Sequence, residues 1–216
     1  MDFINALVTS WPTLVKGLSV TLALTALTLV FSVILGSIIV ALKLSKVRAL
    51  SAFATGYLAI VRGVPLIALL FVIYFGIVSI VKVDAFTAAA IGLSVHSSAY
   101  VAEIFRSGIS SVHNGQVEAS RSLGMTRVAT MNRVVAPQAL RVVVPALVNQ
   151  AIISLKDSAV ASFITVDELF MSAQRLSAAT FQPLTYYAIV SLYYLAIVGA
   201  MTYLSGRVER YFAERG

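Results

Sequence analysis

Residues 18–42 read LSVTLALTALTLVFSVILGSIIVAL, a run with no charged side chain, bounded by Lys16 on one side and Lys43 on the other. A helix needs about 20 apolar residues to cross a hydrocarbon core, so this run is read as a membrane span. It is too long for a signal-peptide core, and no small-residue cleavage pattern follows it, so it is expected to stay in the mature chain. The whole composition agrees: of 216 residues, 59% are hydrophobic and only 12% charged, with mean hydropathy +0.93, whereas a soluble domain is about a quarter charged. Further apolar runs cover residues 64–81, 85–102 and 142–155, the last continuing past Lys156 and Asp157 toward Val166. Residues 176–206 lack any charge, and Pro183 is a natural start for a final span. The prediction is an all-α polytopic membrane protein of about five transmembrane helices, a single domain over residues 1–216. Helices are the expected form because each satisfies its own backbone polar groups in lipid.

Net charge +7 invites a nucleic-acid reading, which the distribution of the charge opposes. Lys43, Lys46, Arg48 and Arg62 fall between the first two spans, and Arg106, Arg121, Arg127, Arg133 and Arg141 between the third and fourth. Arg207, Arg210 and Arg215 follow the fifth. Five crossings put all of these on one side, with Lys16, Lys82 and Arg175 on the other. The positive-inside rule then predicts an outer N-terminus and a cytoplasmic C-terminus. There is no cysteine, so no disulfide framework or thiolate metal site is available. The only histidines, His96 and His113, sit in different kinds of segment and suggest no metal site.

Local signals organise the connections. Residues 1–17, with Trp11 and Lys16, fit a short interfacial lead-in. Residues 49–61 are apolar but end at Arg62-Gly63-Val64-Pro65, where proline disfavours helix at the preceding residue, predicting a helix that breaks there into span two. Lys82-Val83-Asp84 reads as a tight turn, and residues 167–182 as a short outer helix or loop.

Residues 106–141 form the one long interior segment without a spanning run. Asn114 is placed to cap a helix and Gly124 to end it in the left-handed conformation, giving two to three turns. Glu118 and Arg121 share one side of it, while Val117, Leu123 and Met125 offer apolar contact. Within this segment stand Glu118-Ala119-Ser120, three residues, Gly124, nine residues, then Val134-Val135-Ala136-Pro137. That spacing resembles the loop by which membrane subunits of ATP-binding-cassette (ABC) importers dock on their ATPases, with Ser120 for Ala and Ala136 for Leu as departures. Leu123-Gly124-Met125-Thr126 and Pro137-Gln138-Ala139-Leu140-Arg141 extend the likeness. So do Arg62-Gly63-Val64-Pro65-Leu66-Ile67, Ser98-Ala99-Tyr100-Val101-Ala102-Glu103-Ile104, Pro145-Ala146-Leu147-Val148-Asn149 and Ser154-Leu155-Lys156-Asp157-Ser158. Together these resemble the polar amino acid importer permeases of the histidine, glutamine, arginine and cystine type, with Ala68 standing where many members have Gln.

The resemblance implies a type I importer fold in a bacterial inner membrane, a second permease subunit (the same or a close relative), ABC ATPase subunits and an external solute-binding protein. It also implies that Gln116, Glu118, Ala119, Ser120, Arg121, Leu123, Gly124 and Met125 form the ATPase-docking surface. The chain has no Gly-x-x-x-x-Gly-Lys-Ser/Thr loop, so ATP and Mg are expected on the partner subunit, and the chain is expected to be a transport subunit that holds no cofactor and is not an enzyme. The cargo is expected to be an amino acid, and residues 154–170 lean toward the cystine-type members.

Ionisable groups inside a span are costly and mark a cavity or a partner. Glu103, Lys156 and Asp157 are such groups, with Ser97, Ser98, Tyr100 and Asn149 as polar neighbours, and these seven are the substrate-path candidates. An amino acid offers an ammonium and a carboxylate, which an acid and a base lining a path complement. The alternative is purely structural: Glu103 and Lys156 pairing with each other or with neighbouring helices, and the serines and Asn149 bonding between packed helices. Two other classes compete with the importer, an intramembrane hydrolase and a channel that works without ATP. His96 and the nearby serines supply side-chain types for the first but no nucleophile elbow or oxyanion-forming glycines.

Overall fold

A computed structural model describes residues 3–213, and the described residues form helices and short connections without a strand. Helix α1 (Phe3–Lys43) is one 41-residue helix that carries Pro12 inside it, so the expected interfacial lead-in is continuous with span one. At about 1.5 Å per residue it is long enough to cross a bilayer and project beyond it. Its buried side is a stripe of small and hydroxyl residues, Ser10, Gly17, Thr21, Thr25, Thr28, Ser32 and Gly36, spaced three or four apart along most of its length. Such a stripe lets backbones approach closely where lipid offers no hydrophobic drive for association. Helix α4 (Ala85–Ser110) uses that approach and packs along α1. A Cβ added at Gly36 would lie 2.8 Å from the Val101 side chain and 3.1 Å from the Ala102 amide.

Helix α2 (Arg48–Gly63) stops where the proline demands. Val64 and Pro65 are extended, and α3 (Leu66–Val78) leaves at a bend of 111°. With 13 residues α3 is too short to cross alone, which residues 64–81 had been expected to do. Four helical segments are long and apolar enough to span, and the α2–α3 pair makes a fifth if counted as one broken span. The turn after α3 ends at Asp84, whose carboxylate accepts from the Thr87 amide (3.1 Å) and hydroxyl (2.6 Å) and so caps α4.

Helix α4 runs to Ser110, past the expected end of span three. Then come α5 (Asn114–Ser122), α6 (Arg127–Thr130), a π-helical turn (Met131–Val135) and α7 (Ala136–Asp157). The wide turn has a physical reason in Pro137: its ring would collide with the carbonyl four residues back in a regular α-helix, and one extra residue per turn moves that carbonyl away. Helix α7 tightens into a 3₁₀ segment (Ser158–Ile164). Helix α8 (Leu169–Thr180) fills the segment expected to be a short helix or loop. Helix α9 (Pro183–Ala213) opens at the expected proline. Arg215, counted among the basic residues, lies outside the described residues.

Three apolar cores hold the bundle. One gathers Leu24, Leu70, Leu93 and Ile164, a second Ile39, Leu58, Val61 and Leu69, and a third Leu14, Leu169, Tyr186 and Ile189. A fourth, smaller cluster of Val112, Val135 and Ala139, joined by Val117, seats α5 against the base of α7. Helices α4 and α7 meet closely above it, where a Cβ on Gly108 would lie 3.1 Å from the Ala139 carbonyl oxygen.

Candidate functional site

Helix α5 begins one residue away from the expected cap. His113, rather than Asn114, occupies the N-cap, its Nδ1 accepting from the Gly115 amide at 3.1 Å, and Asn114 is the first helical residue. At the other end Gly124 has φ +80°, its amide donates to the Arg121 carbonyl (3.0 Å) and the Met125 amide to the Ser120 carbonyl (3.2 Å). This paired closure needs a left-handed residue, which glycine supplies without a Cβ penalty. Glu118, Ala119, Arg121 and Leu123 are exposed, with Leu123 at 84%. Arg121 Nη1 also donates to the carbonyl of half-buried Met125. Ser120 points inward, buried, donating to Thr130 Oγ1 at 3.1 Å. Gln116 Oε1 accepts from Gln138 Nε2, which also donates to the Val134 carbonyl in the π turn (2.8 Å). The eight docking candidates thus divide: an exposed acid, base and leucine on one side, and Ser120 and Gln116 fastening the helix to α6 and α7.

The seven path candidates divide as well. Ser97 and Ser98 are buried and serve packing. Ser97 Oγ sits 3.2 Å from Ser154 Oγ and accepts from Gln150 Nε2 at 3.2 Å, while Ser98 Oγ lies 2.6 Å from the Tyr57 hydroxyl. Tyr100, Glu103 and Asn149 instead line one hollow between α4 and α7, together with Arg106, Ser107 and Gln150. Glu103 is not paired with Lys156. Its Oε2 accepts from Arg106 Nε and Nη2, both at 2.8 Å, and its Oε1 faces Arg62 Nη1 at 3.9 Å.

Asn149 and Lys156 are exposed, seven residues apart on α7, which places them about two turns apart on the same side of the helix. Asp157 is half-buried next to Lys156, and neither charge makes a hydrogen bond or ion pair with another described residue. Lys156 stands in the last turn of α7 and within the 127–164 segment long and apolar enough to span, where an ionisable group is costly and usually faces a cavity or a partner. Asn149 in the hollow and Lys156 beyond it thus give one side of α7 an interrupted polar line, with exposed Ile153 between them. It opens where α4 ends and runs toward the 3₁₀ segment.

Two clusters escaped the sequence reading. Arg62 and Arg106 are partners of Glu103, and the i, i+3 spacing of Glu103 and Arg106 was the available signal for the second. Glu168 is fully buried. It caps α8 by accepting from the Phe170 and Met171 amides (2.9 and 2.6 Å) and from Tyr194 of α9 (3.1 Å) and Thr21 of α1 (3.3 Å). Burial pushes its carboxyl above the ordinary range, and these donors offset part of that rise. Its signal was the second of two adjacent acids, Asp167-Glu168, directly before the apolar Leu169-Phe170-Met171, in a segment read only as polar and outer. His96, by contrast, has no hydrogen-bond partner at Nδ1 and rests 5.1 Å from the Tyr100 ring centroid. Among the described residues, no group of three or more metal-ligating side chains gathers.

Residues 32–211 match the family model described as binding-protein-dependent transport system inner membrane component. The chain is 37% identical over 205 residues to the probable amino-acid ABC transporter permease protein YckA of Bacillus subtilis, covering 94% of this chain and 91% of that protein. It is 34% identical to the arginine transport system permease protein ArtQ of the same organism (97% and 96% covered) and 38% identical to its L-cystine transport system permease protein TcyB (93% and 86%). Among solved structures, an amino acid ABC transporter crystallised with histidines superposes with TM-score 0.92 at 37% identity over 98% of this chain and 99% of that one. The MetNI methionine ABC transporter shares the fold at TM-score 0.78 and 22% identity, over 93% of this chain and 96% of that one.

Proposed function

The chain belongs to the family of binding-protein-dependent transport system inner membrane components, and from that membership we propose that it is the permease subunit of an ATP-driven amino acid importer. It is a multi-pass protein of the inner membrane. The observation that carries the proposal is the polar line on α7: Asn149, which lines the hollow around Glu103, and Lys156 are both exposed on one side of a segment long and apolar enough to cross lipid. A second permease subunit facing this line would enclose an aqueous route. Lys156 and Asp157 offer a cation for the cargo's carboxylate and an anion for its ammonium.

The exposed side of α5 supports the other half of the reading. Glu118, Ala119, Arg121 and Leu123 stand out on a short helix fastened to α7, a form suited to seating in an ATPase subunit that holds ATP and Mg. Closure of two such ATPases would move α5 and bias the permease between inward and outward access, through differential affinity for the two states. A solute-binding protein delivers cargo at the other face. The relatives named for arginine and cystine supply the substrate class to try first, with L-glutamine as a third polar candidate.

The test is reconstitution of the chain with its ATPase and solute-binding-protein partners. ATP-dependent uptake of L-arginine, L-glutamine or L-cystine into proteoliposomes is expected. Glu118→Lys and Gly124→Val are each expected to abolish uptake while the protein still reaches the membrane, with the ATPase lost on purification or no longer stimulated by loaded binding protein. Uptake without ATP would assign an ATP-independent channel, and wild-type coupling in both variants would remove α5 from the docking role.

A further inference from the structure

The inner end of the polar line carries an arrangement that simple structural pairing does not explain. Arg62 stands in the last turn of α2, immediately before the 111° break, and Glu103 and Arg106 stand one turn apart near the end of α4. Arg106 delivers both of its short contacts to Oε2 of Glu103. Oε1 is left with the Arg62 guanidinium at 3.9 Å, beyond hydrogen-bond range. Among the described residues, Arg62 is otherwise steadied by the face of Tyr100, whose ring centroid lies 5.9 Å away. All three charged side chains remain accessible, at 48%, 26% and 43% for Arg62, Glu103 and Arg106.

Two guanidinium groups meet one carboxylate, so the cluster holds one cation in excess. The surroundings add to that excess. A second hollow on the other side of Glu103 is lined by Lys43, Thr55 and Arg62, with Lys43 Nζ donating to Thr55 Oγ1 at 2.7 Å. Both hollows share Tyr100 and Glu103, so Glu103 is the partition between them. The first opens toward Asn149 and the polar line, the second toward the α1–α2 corner with its cluster of basic residues.

We propose that Arg62 and Glu103 form a cytoplasmic-side station for the zwitterionic head of an amino acid, its carboxylate on the Arg62 guanidinium and its ammonium on Glu103 Oε1. The proposal rests on the reading of the chain as an amino acid permease subunit and names where cargo pauses before release. The planar fork of arginine matches a carboxylate through two parallel hydrogen bonds, which its present contact with Glu103 does not use. Insertion of the zwitterion between the two side chains replaces one ion pair by two, leaves the net charge of the cluster unchanged, and breaks only the long contact. The tight Arg106–Glu103 pair stays in place and holds the carboxylate oriented. Arg106 is thus a positioning residue, and Arg62 the movable one. A station of this kind binds weakly, as an exit requires.

Ala59 lines the second hollow together with Arg62 and Glu103 and is exposed, and the chain has no native cysteine, so Ala59→Cys provides a local reporter. The experiment uses the whole complex, nucleotide-free, in proteoliposomes, and the probe is whichever of L-arginine, L-glutamine or L-cystine the wild-type complex takes up. Absence of uptake of all three by wild type speaks against the permease reading, and that failure is distinct from failure of the station, which is read in a complex that transports. Alkylation of Ala59→Cys by a membrane-impermeant maleimide from the ATPase side is expected to slow at least threefold with the amino acid present. The carboxyl methyl ester is expected to give no slowing, and adding Arg62→Gln is expected to remove the slowing for the free amino acid. Equal protection by acid and ester, no protection by the acid, or full protection in the Arg62→Gln background each overturns the proposal. Should Arg62→Gln not assemble with its partners, Arg62→Lys decides: it keeps the charge but loses the fork and must weaken protection at least twofold. Unchanged protection, or failure of both variants to assemble, assigns the pair to folding alone.

Discussion

Glu168 joins a helix N-terminus and two neighbouring helices in one buried carboxylate, and its energetics pull in opposite directions. Burial favours the neutral acid, while two amides and two hydroxyls favour the anion, and burial is the larger effect. A carboxyl whose folded pKa lies above its unfolded value binds its proton more tightly when folded. Its contribution to stability is therefore fullest below the unfolded value, about 4.3, and declines as pH rises through the folded one. Glu168→Gln has no such titration. Thermal unfolding of the purified protein in detergent should show the stability gap between wild type and this variant moving in the variant's favour from pH 4.5 to pH 8. Glu168→Ala should be worse at every pH, by about 1–2 kcal/mol for the lost cap alone. A pH-independent gap between wild type and Glu168→Gln would refute the protonation linkage. The residue was not legible in sequence because its neighbours in space, Thr21 and Tyr194, lie 147 and 26 positions away. Gly124 shows the opposite case. Its role follows from a local rule, and the structure finds it at φ +80° with open space where a Cβ would go, so its cost of replacement is conformational.

Among the elements, α5 was readable to within a residue because caps, glycine closure and length are all local. What fastens it was not. Three attachments hold α5 to the chain beyond it: Gln116 to Gln138, Ser120 to Thr130, and Val117 packed against Val135 and Ala139. The Gln138 and Ala139 contacts reach past the π turn and the Thr130 contact holds the residue before it, so α5, the turn and the base of α7 are tied as one lever rather than hinged at the irregular segment. A short bis-methanethiosulfonate bridge between Gln116→Cys and Gln138→Cys, placed where the two amides now touch, tests this in a chain with no other thiol. Bridged complexes should transport within about twofold of unbridged ones. Loss of transport on bridging, restored by reductant, would place a hinge in the π turn. The same contrast explains the reading of span two. Pro65 fixed the break, but the 111° turn of α3 away from α2 depends on Leu69 and Leu70 finding their places in two different cores, which no local pattern encodes. Likewise Glu103 stands out in the sequence as a charge at the end of an apolar run, yet its partners Arg62 and Arg106 come from the packing of α2 on α4 and from one helical turn.

For the whole molecule, the positive-inside rule gives an expected orientation, with the basic residues of the α1–α2 corner, of the α4–α7 connection and of the end of α9 on the cytoplasmic side. The helical geometry refines where that orientation is best read. Ser172 belongs to the outer segment but is buried, its hydroxyl donating to the Glu168 carbonyl at 3.0 Å, so a thiol there would report packing rather than side. Ala178, on the open side of α8, and Ser79, in the exposed turn after α3, are the accessible positions at one face. Ser111 and Ser122, exposed before and at the end of α5, mark the other. With no native cysteine to mask, each is replaced by cysteine and treated in intact cells with a membrane-impermeant maleimide. Ala178→Cys and Ser79→Cys should label from outside, and Ser111→Cys and Ser122→Cys only after the cells are opened. Labelling of all four in intact cells would mean that α4 does not cross the membrane. The reverse pattern would place α5 and the basic corners outside, where no ATPase can meet them, and the inverted molecule would be incompatible with import driven from the cytoplasm.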